Sequence, residues 1–85
     1  MTLEELEAAG WARDGEVLAK TFKFRNFSEA FGWMARVALA AEKADHHPDW
    51  SNSWNKVEVR LTTHSAGALT EKDLKLASVM EKLAG

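Results

Sequence analysis

Residues 57–64 read Val-Glu-Val-Arg-Leu-Thr-Thr-His, and this stretch decides the fold. Apolar side chains occupy every second position up to Leu61, and polar side chains lie between them. Alternation with a period of two is the pattern of a β-strand that buries one face. We therefore predict a strand over 57–64 that ends with His64 on its polar face.

The flanking segments on the N-terminal side add three more strands. Residues 18–25 alternate in the same way. The Asp14-Gly15 pair just before them suits a tight hairpin turn, because both residues tolerate a positive φ. The residues from Trp11 to this turn are then the first strand of that hairpin. Residues 50–54 are interpreted as a short strand, with Asn55-Lys56 as the turn into the strand 57–64. The strands therefore form two hairpins.

Three helices are predicted from their start signals. Each begins with a Thr or Asn and has an acidic residue three positions later, which is the spacing of a capping box. The pairs are Thr2 with Glu5, Asn26 with Glu29, and Thr70 with Asp73. Gly10 is placed to end the first helix. The second should stop near Ala44, ahead of Pro48, and its core-facing stripe is Ala30, Met34, Val37 and Ala41.

The element order is α-β-β-α-β-β-α, which predicts an α+β fold. Two hairpins make a four-stranded antiparallel sheet, and the three helices should lie on one face of it as a two-layer sandwich. We treat residues 1–85 as a single domain, since a chain of 85 residues is short for more than one.

Composition excludes several classes of protein. The chain has no cysteine, so it has neither a disulfide framework nor a Cys-based zinc site. A net charge of -2 without a basic stripe argues against nucleic-acid binding. The longest apolar stretch, near residues 30–41, is interrupted and too short to cross a membrane. The acidic N-terminus resembles no targeting signal, so a cytoplasmic location is expected.

The chemistry is concentrated in the three histidines His46, His47 and His64, with Glu42 and Asp45 just upstream of the first two. The end of the long helix, the loop after it and the end of a strand can converge on one pocket. Histidine exchanges protons near neutral pH, and nearby carboxylates can orient the imidazole rings. This group therefore suits acid–base catalysis.

Other interpretations of these residues stay open at this point. A surface histidine at a helix end often only interacts with the helix dipole. Three imidazoles can also hold zinc, although adjacent histidines tend to point apart. Asp73 is fully explained by its capping position, so we favour a structural role for it.

Four tryptophans are a large number for so short a chain. Trp33 on the long helix is expected in the core. Trp50 and Trp54 flank a strand near the histidine loop, and Trp11 precedes the first hairpin, so each of these could wall a cleft. A flat heteroaromatic ligand stacks well on such rings.

The spaced set Glu42-x-x-x-His46-His47-Pro48, Trp54, His64 and Asp73 resembles the signature of the pterin-4a-carbinolamine dehydratases. The sequence of residues 31–39 and 41–43 is also similar to that family. The same holds for Asn55-Lys56-Val57 and for residues 61–64. The likeness runs from Gly10-Trp11 to the final helix. Lys72 stands where some members of the family have arginine.

The resemblance implies a dehydratase that eliminates water from a 4a-hydroxytetrahydropterin to give the quinonoid dihydropterin, in tetrahydrobiopterin recycling. It implies His46, His64 and Glu42 as catalytic residues, and His47, Asp45, Trp11 and Thr63 as substrate-binding residues. No metal or organic cofactor is implied. Partners would be the pterin substrate, further copies of the chain in a homodimer or homotetramer, and an aromatic amino acid hydroxylase in the same pathway.

Three rival functions remain open on the sequence. Animal members of the family also act as dimerisation partners of a homeodomain transcription factor, so a binding module is one alternative. A metal-dependent hydrolase and a pterin sensor without turnover are the others.

Oligomerisation is expected on physical grounds as well. A core of this size is marginal alone, and a four-stranded sheet leaves two edges unpaired. The last helix carries apolar residues on more than one side, from Leu74 to Leu83. We therefore expect a homo-oligomer built partly through the sheet edge or this helix.

Overall fold

The computed structural model describes residues 1–85 and confirms the predicted order of elements. These are α1 (Leu3–Ala8), β1 (Ala12–Asp14), β2 (Val17–Lys23), α2 (Phe27–Ala44), β3 (Asp49–Ser53), β4 (Lys56–Leu61) and α3 (Glu71–Ala84). None of the helices combines the length and the apolar character that a membrane span needs.

The four strands form one antiparallel sheet in the order β1-β2-β4-β3. Its core-facing side is built by cross-strand pairs such as Leu18 with Leu61 and Phe22 with Val57. All four of these side chains are buried, as the alternation in the sequence predicts. The fold is therefore the expected α+β sandwich, with the helices packed over this apolar face.

The core centres on Trp33 of α2, which is fully buried. Its ring lies 4.5 Å from that of Phe22, and its Nε1 donates a hydrogen bond of 3.1 Å to the carbonyl oxygen of Met80 in α3. The predicted stripe on α2 is right at Ala30, Val37 and Ala41, which are buried. Met34 is partly buried and packs against this core, whereas its neighbour Trp33 is fully buried.

Both hairpin turns lie one residue away from their predicted positions. Asp14 still pairs with Val17, so the first turn is Gly15-Glu16, and only Gly15 has a positive φ, of 62°. Ser53 pairs with Lys56, so the second turn is Trp54-Asn55. Two-residue loops fit the twist of antiparallel strands best, and the strand register selects which two residues turn.

The helix starts are mostly as predicted. Thr2 and Glu5 form a complete capping box, and so do Thr70 and Asp73. Asn26 accepts a hydrogen bond from the backbone of Glu29, but the Glu29 carboxylate accepts one from the Arg25 N–H instead of closing the box. α2 ends at Ala44, as expected.

The apolar surplus expected on α3 is present only in part, because Leu74, Val79 and Leu83 are partly buried. Leu76, Ala77 and Met80 are buried, and Leu74 and Leu83 pack against the core, because α3 contacts both α1 and α2. Three of the five exposed large apolar side chains lie on α2, and the other two are Met1 and Trp54. Phe27, Phe31 and Leu39 are each more than half exposed.

Candidate active site

The C-terminal end of α2 delivers two histidines to one place. Asp45 takes a left-handed conformation with φ of 50°, which Asp tolerates better than most residues. The backbone N–H of His46 then bonds back to the carbonyl oxygen of Ala41 at 3.1 Å. This cap turns the chain off the helix axis, so His46 and His47 leave α2 in a fixed direction.

The third histidine is held by a small closed turn after β4. That strand ends at Leu61, so it is shorter than the predicted 57–64, and His64 lies just beyond it. Thr63 pairs with Ala68 in an isolated antiparallel bridge, which closes residues 64–67 into a turn with Gly67 at φ of 62°. His64 is therefore anchored beside the sheet without being part of it.

These two segments enclose a polar cleft of about 200 Å³. The cleft contains five of the residues predicted for the site and adds three others: Asp45, His46, His47, Thr63 and His64, then Thr62, Ser65 and Lys72. No apolar side chain lines it. A larger depression of about 530 Å³ lies on the outer face of the sheet and contains no histidine.

Each histidine is paired with one carboxylate. His46 Nε2 lies 2.6 Å from Asp73 Oδ1, His47 Nε2 lies 2.8 Å from Glu42 Oε1, and His64 Nε2 lies 3.2 Å from Asp49 Oδ2. The sequence predicted that carboxylates would orient the imidazoles. Glu42 does so through His47, although it does not line the cleft itself.

The three pairs differ greatly in burial. The side chains of His46 and Asp73 are 10% and 0% exposed, whereas His47 and Glu42 are 58% and 82% exposed, and His64 and Asp49 are 75% and 65% exposed. Buried, charge-assisted contacts are held more firmly than exposed ones, which water weakens. His46 is therefore the one imidazole that the protein fixes rigidly.

The capping interpretation explains only part of what Asp73 does. It does close the capping box, since its Oδ2 accepts the Thr70 N–H at 2.9 Å. The same oxygen lies 2.8 Å from Thr63 Oγ1, and its other oxygen holds His46. One buried carboxylate therefore serves both the start of α3 and the cleft.

Asp49 is a second residue that sequence reasoning missed. It begins β3 directly after Pro48, and its register partner is Arg60 of β4. A carboxylate one residue beyond a His-His-Pro run is the only signal the sequence offers for this contact. The pairing with His64 depends on the β3–β4 register, which fixes how the two segments meet.

Trp11, predicted to bind substrate, is not brought to the histidine cleft. It is buried, its ring lies 5.7 Å from Phe22, and its Nε1 donates to Glu81 Oε2 at 2.9 Å. Trp50 packs at 6.1 Å from the core residue Trp33. Trp54 is exposed in the β3–β4 turn, at the opposite end of β3 from Asp49.

The donor set also bears on the metal alternative. No three histidine or acidic side chains are grouped so that they could hold a metal ion. Each imidazole is instead paired singly with a carboxylate, an arrangement that supports proton transfer and substrate orientation.

Comparisons with known proteins show the family to which the chain belongs. The family model for pterin 4 alpha carbinolamine dehydratase matches residues 1–83. A Rhizobium johnstonii protein named as such a dehydratase is 58% identical over 80 residues, covering 92% of this chain and 79% of its own. A similarly named protein of Prochlorococcus marinus is 55% identical over 73 residues, covering 86% and 77%.

Two solved structures are similar as well. The crystal structure of a transcriptional coactivator/pterin dehydratase from Brucella melitensis has a TM-score of 0.90 and 46% identity, covering 100% of this chain and 98% of that one. A pterin dehydratase-like protein identified as a RuBisCO assembly factor of the α-carboxysome has a TM-score of 0.76 over 89% and 90% of the two chains. At 23% identity, the second likeness shows the fold alone.

Proposed function

The chain belongs to the pterin-4a-carbinolamine dehydratase family, and from that premise we propose that it eliminates water from a 4a-hydroxytetrahydropterin to give the quinonoid dihydropterin. The observation that carries the proposal is one polar cleft with three imidazoles, each paired with a carboxylate. Such a cleft supplies the proton donors and acceptors that a dehydration needs.

The reaction sets the demands on these groups. The substrate carries a hydroxyl on a carbon next to a ring nitrogen. Elimination breaks the bond from that carbon to oxygen, and the oxygen leaves as water after it takes a proton. The ring nitrogen loses its proton, and the electron pair of the N–H bond forms the carbon–nitrogen double bond. The protein must therefore place an acid and a base against the same substrate molecule, and no redox partner is needed.

We assign the proton transfers to His46 and His64. Both line the cleft, one held rigidly by Asp73 and the other exposed beside Asp49. Glu42 acts on the site through His47, which lies 2.8 Å from it. His47 and Asp45 would hold the substrate, since both line the cleft and are exposed enough to contact it.

The assay that tests this function follows the dehydration of a synthetic hydroxytetrahydropterin by absorbance, with and without the protein. We expect His46→Ala and His64→Ala each to lower turnover by a factor of about 10²–10⁴, the usual contribution of general acid–base catalysis. His47→Ala should raise KM more than it lowers kcat. Wild-type rates in both His46→Ala and His64→Ala would contradict the assignment.

We further propose that the protein works as a homodimer or homotetramer in the cytoplasm, in tetrahydrobiopterin recycling beside an aromatic amino acid hydroxylase. The exposed Phe27, Phe31 and Leu39 of α2 support association, because such apolar area is costly to leave in water. β1 and β3 are also unpaired sheet edges.

Light scattering at micromolar concentration tests the association. We expect a mass of at least twice the 9.5 kDa of one chain. Phe31→Glu should lower that mass by placing a charge within the exposed apolar side of α2. A wild-type mass near that of a single chain would contradict the proposal.

A further inference from the structure

A chain of hydrogen bonds connects the first turn of α3 with the active-site cleft. The backbone N–H of Lys72 donates to Thr70 Oγ1 at 3.3 Å. Thr70 Oγ1 lies 2.6 Å from Thr63 Oγ1, which in turn lies 2.8 Å from Asp73 Oδ2. Asp73 Oδ1 completes the chain with its contact of 2.6 Å to His46 Nε2.

The direction of every bond in this chain can be deduced. A carboxylate only accepts hydrogen bonds, and a hydroxyl has a single proton to donate. The Thr63 hydroxyl donates its single proton to Asp73, so Thr70 must be the donor in the short hydrogen bond between the two threonines. Asp73 Oδ2 then accepts from both the Thr63 hydroxyl and the Thr70 N–H. These donors and the N-terminus of α3 stabilise its negative charge.

The same reasoning fixes the tautomer of His46. Because Asp73 Oδ1 is an acceptor, Nε2 of His46 must carry the proton, which leaves the lone pair of the neutral ring on Nδ1. Asn55 Oδ1 is the one buried side-chain nitrogen or oxygen without a partner, so the unpaired Nδ1 is not sealed in the protein. His46 lines the cleft, and we assign to Nδ1 the side of the ring that opens into it.

We propose that Thr63 is a positioning residue that acts through Asp73. Its hydroxyl, itself held by Thr70, keeps the carboxylate aimed at His46, so that the ring presents Nδ1 to the substrate as the atom that exchanges a proton. A direct substrate contact of this hydroxyl is disfavoured, because Thr63 is only 4% exposed and its proton is already used. The kinetic consequence rests on the proposed function, whereas the tautomer rests only on the hydrogen bonds and on an ionised Asp73 carboxylate.

The test combines NMR of ¹⁵N-labelled histidine side chains with steady-state kinetics. Thr63→Val removes the hydroxyl and keeps the shape, Thr63→Ser restores the hydroxyl, and Thr21→Val is the matched control on the outer face of β2, where Thr21 is exposed. Spectra are recorded at about pH 8, where imidazoles are ordinarily neutral.

In the wild type we expect the His46 ring with its proton on Nε2 and a downfield proton resonance from the short bond to Asp73. Thr63→Val should move or broaden that resonance and lower kcat about tenfold with little change in KM, the size of effect expected for one lost hydrogen bond to a charged group. Thr63→Ser and Thr21→Val should retain the wild-type resonance and kcat.

Three results would overturn the proposal. One is a wild-type His46 with its proton on Nδ1. Another is a Thr63→Val protein whose His46 resonance and kcat both match the wild type. The third is a Thr63→Val protein that raises KM alone, which would make Thr63 a substrate ligand. If Thr63→Val does not fold, Thr63→Ala replaces it as the variant without the hydroxyl, and the wild-type spectrum still tests the tautomer. A wild type that dehydrates no pterin refutes the proposed function, and the NMR result separates the two failures.

Discussion

Two helices of this protein begin with the same local motif, and only one of them uses it for more than starting a helix. At α1, Thr2 and Glu5 bond to each other's backbone, and both side chains lie at the surface. At α3, Thr70 and Asp73 repeat the arrangement, but Asp73 is fully buried. Its second oxygen is then free of the cap and holds His46.

The difference teaches that location turns a capping residue into part of a site. A carboxylate has two oxygens and several lone pairs, and a capping box occupies only part of them. In α1 the remaining lone pairs of the Glu5 carboxylate face water. In α3 those of Asp73 face an imidazole at 2.6 Å, inside the protein, where the contact is strong and direction-sensitive.

The largest expected effect comes from changing this carboxylate to an amide. In Asp73→Asn the amide oxygen can keep the Thr70 N–H and the Thr63 hydroxyl, but its NH₂ would face His46 and require an acceptor there. The ring would then carry its proton on Nδ1, the wrong nitrogen for the cleft. We expect kcat to fall by about 10²–10⁴, measured in the dehydration assay.

Glu5→Gln is the matched control, because it makes the same chemical change in the other capping box. It should leave kcat at the wild-type value. Loss of melting temperature in Asp73→Asn with unchanged kcat would return Asp73 to a purely structural role.

A smaller effect should separate the two boxes at their first residue. Thr70→Ala removes an N-cap acceptor and also the hydroxyl that supports Thr63. Thr2→Ala removes only an exposed cap. Urea unfolding should show a loss of about 1–2 kcal/mol for Thr70→Ala and about 0.5–1 kcal/mol for Thr2→Ala. Equal losses would mean that the threonine-to-threonine bond adds nothing.

The smallest effect concerns the pH dependence of the α1 box. The hydrogen bond from the Thr2 backbone lowers the pKa of the Glu5 carboxyl below its usual range. A lowered pKa in the folded state means that the ionised carboxylate stabilises the fold above its unfolded pKa, and that this contribution is lost as pH falls through the folded pKa. Glu5→Gln should therefore have a slightly lower melting temperature than the wild type near neutral pH, and the same melting temperature at about pH 2. A larger difference at acid pH would contradict this sign.

The sequence predicts the local features of this protein well. Period-two alternation located β2 and β4, and the Thr and Asn start signals located all three helices. Placing His46, His47 and His64 in one cleft followed from their positions at the ends of elements. Each of these inferences uses neighbours within a few residues, where the rules of backbone geometry and capping apply.

What the sequence could not supply depends on contacts between distant segments. Asp73 and His46 are 27 residues apart, and their contact exists because α3 packs against α2. Trp11 and Glu81 are 70 residues apart, which is why Trp11 is a core residue and not a wall of the cleft. The one-residue shifts of both turns arise in the same way, from strand register.

The most direct test of the account is a double-mutant cycle on His46 and Asp73 in the dehydration assay. If Asp73 acts on catalysis only through His46, then His46→Ala combined with Asp73→Asn should have a kcat no lower than that of His46→Ala alone. The account predicts this saturation. Losses that multiply in the double variant, or single variants that both keep wild-type turnover, would contradict it.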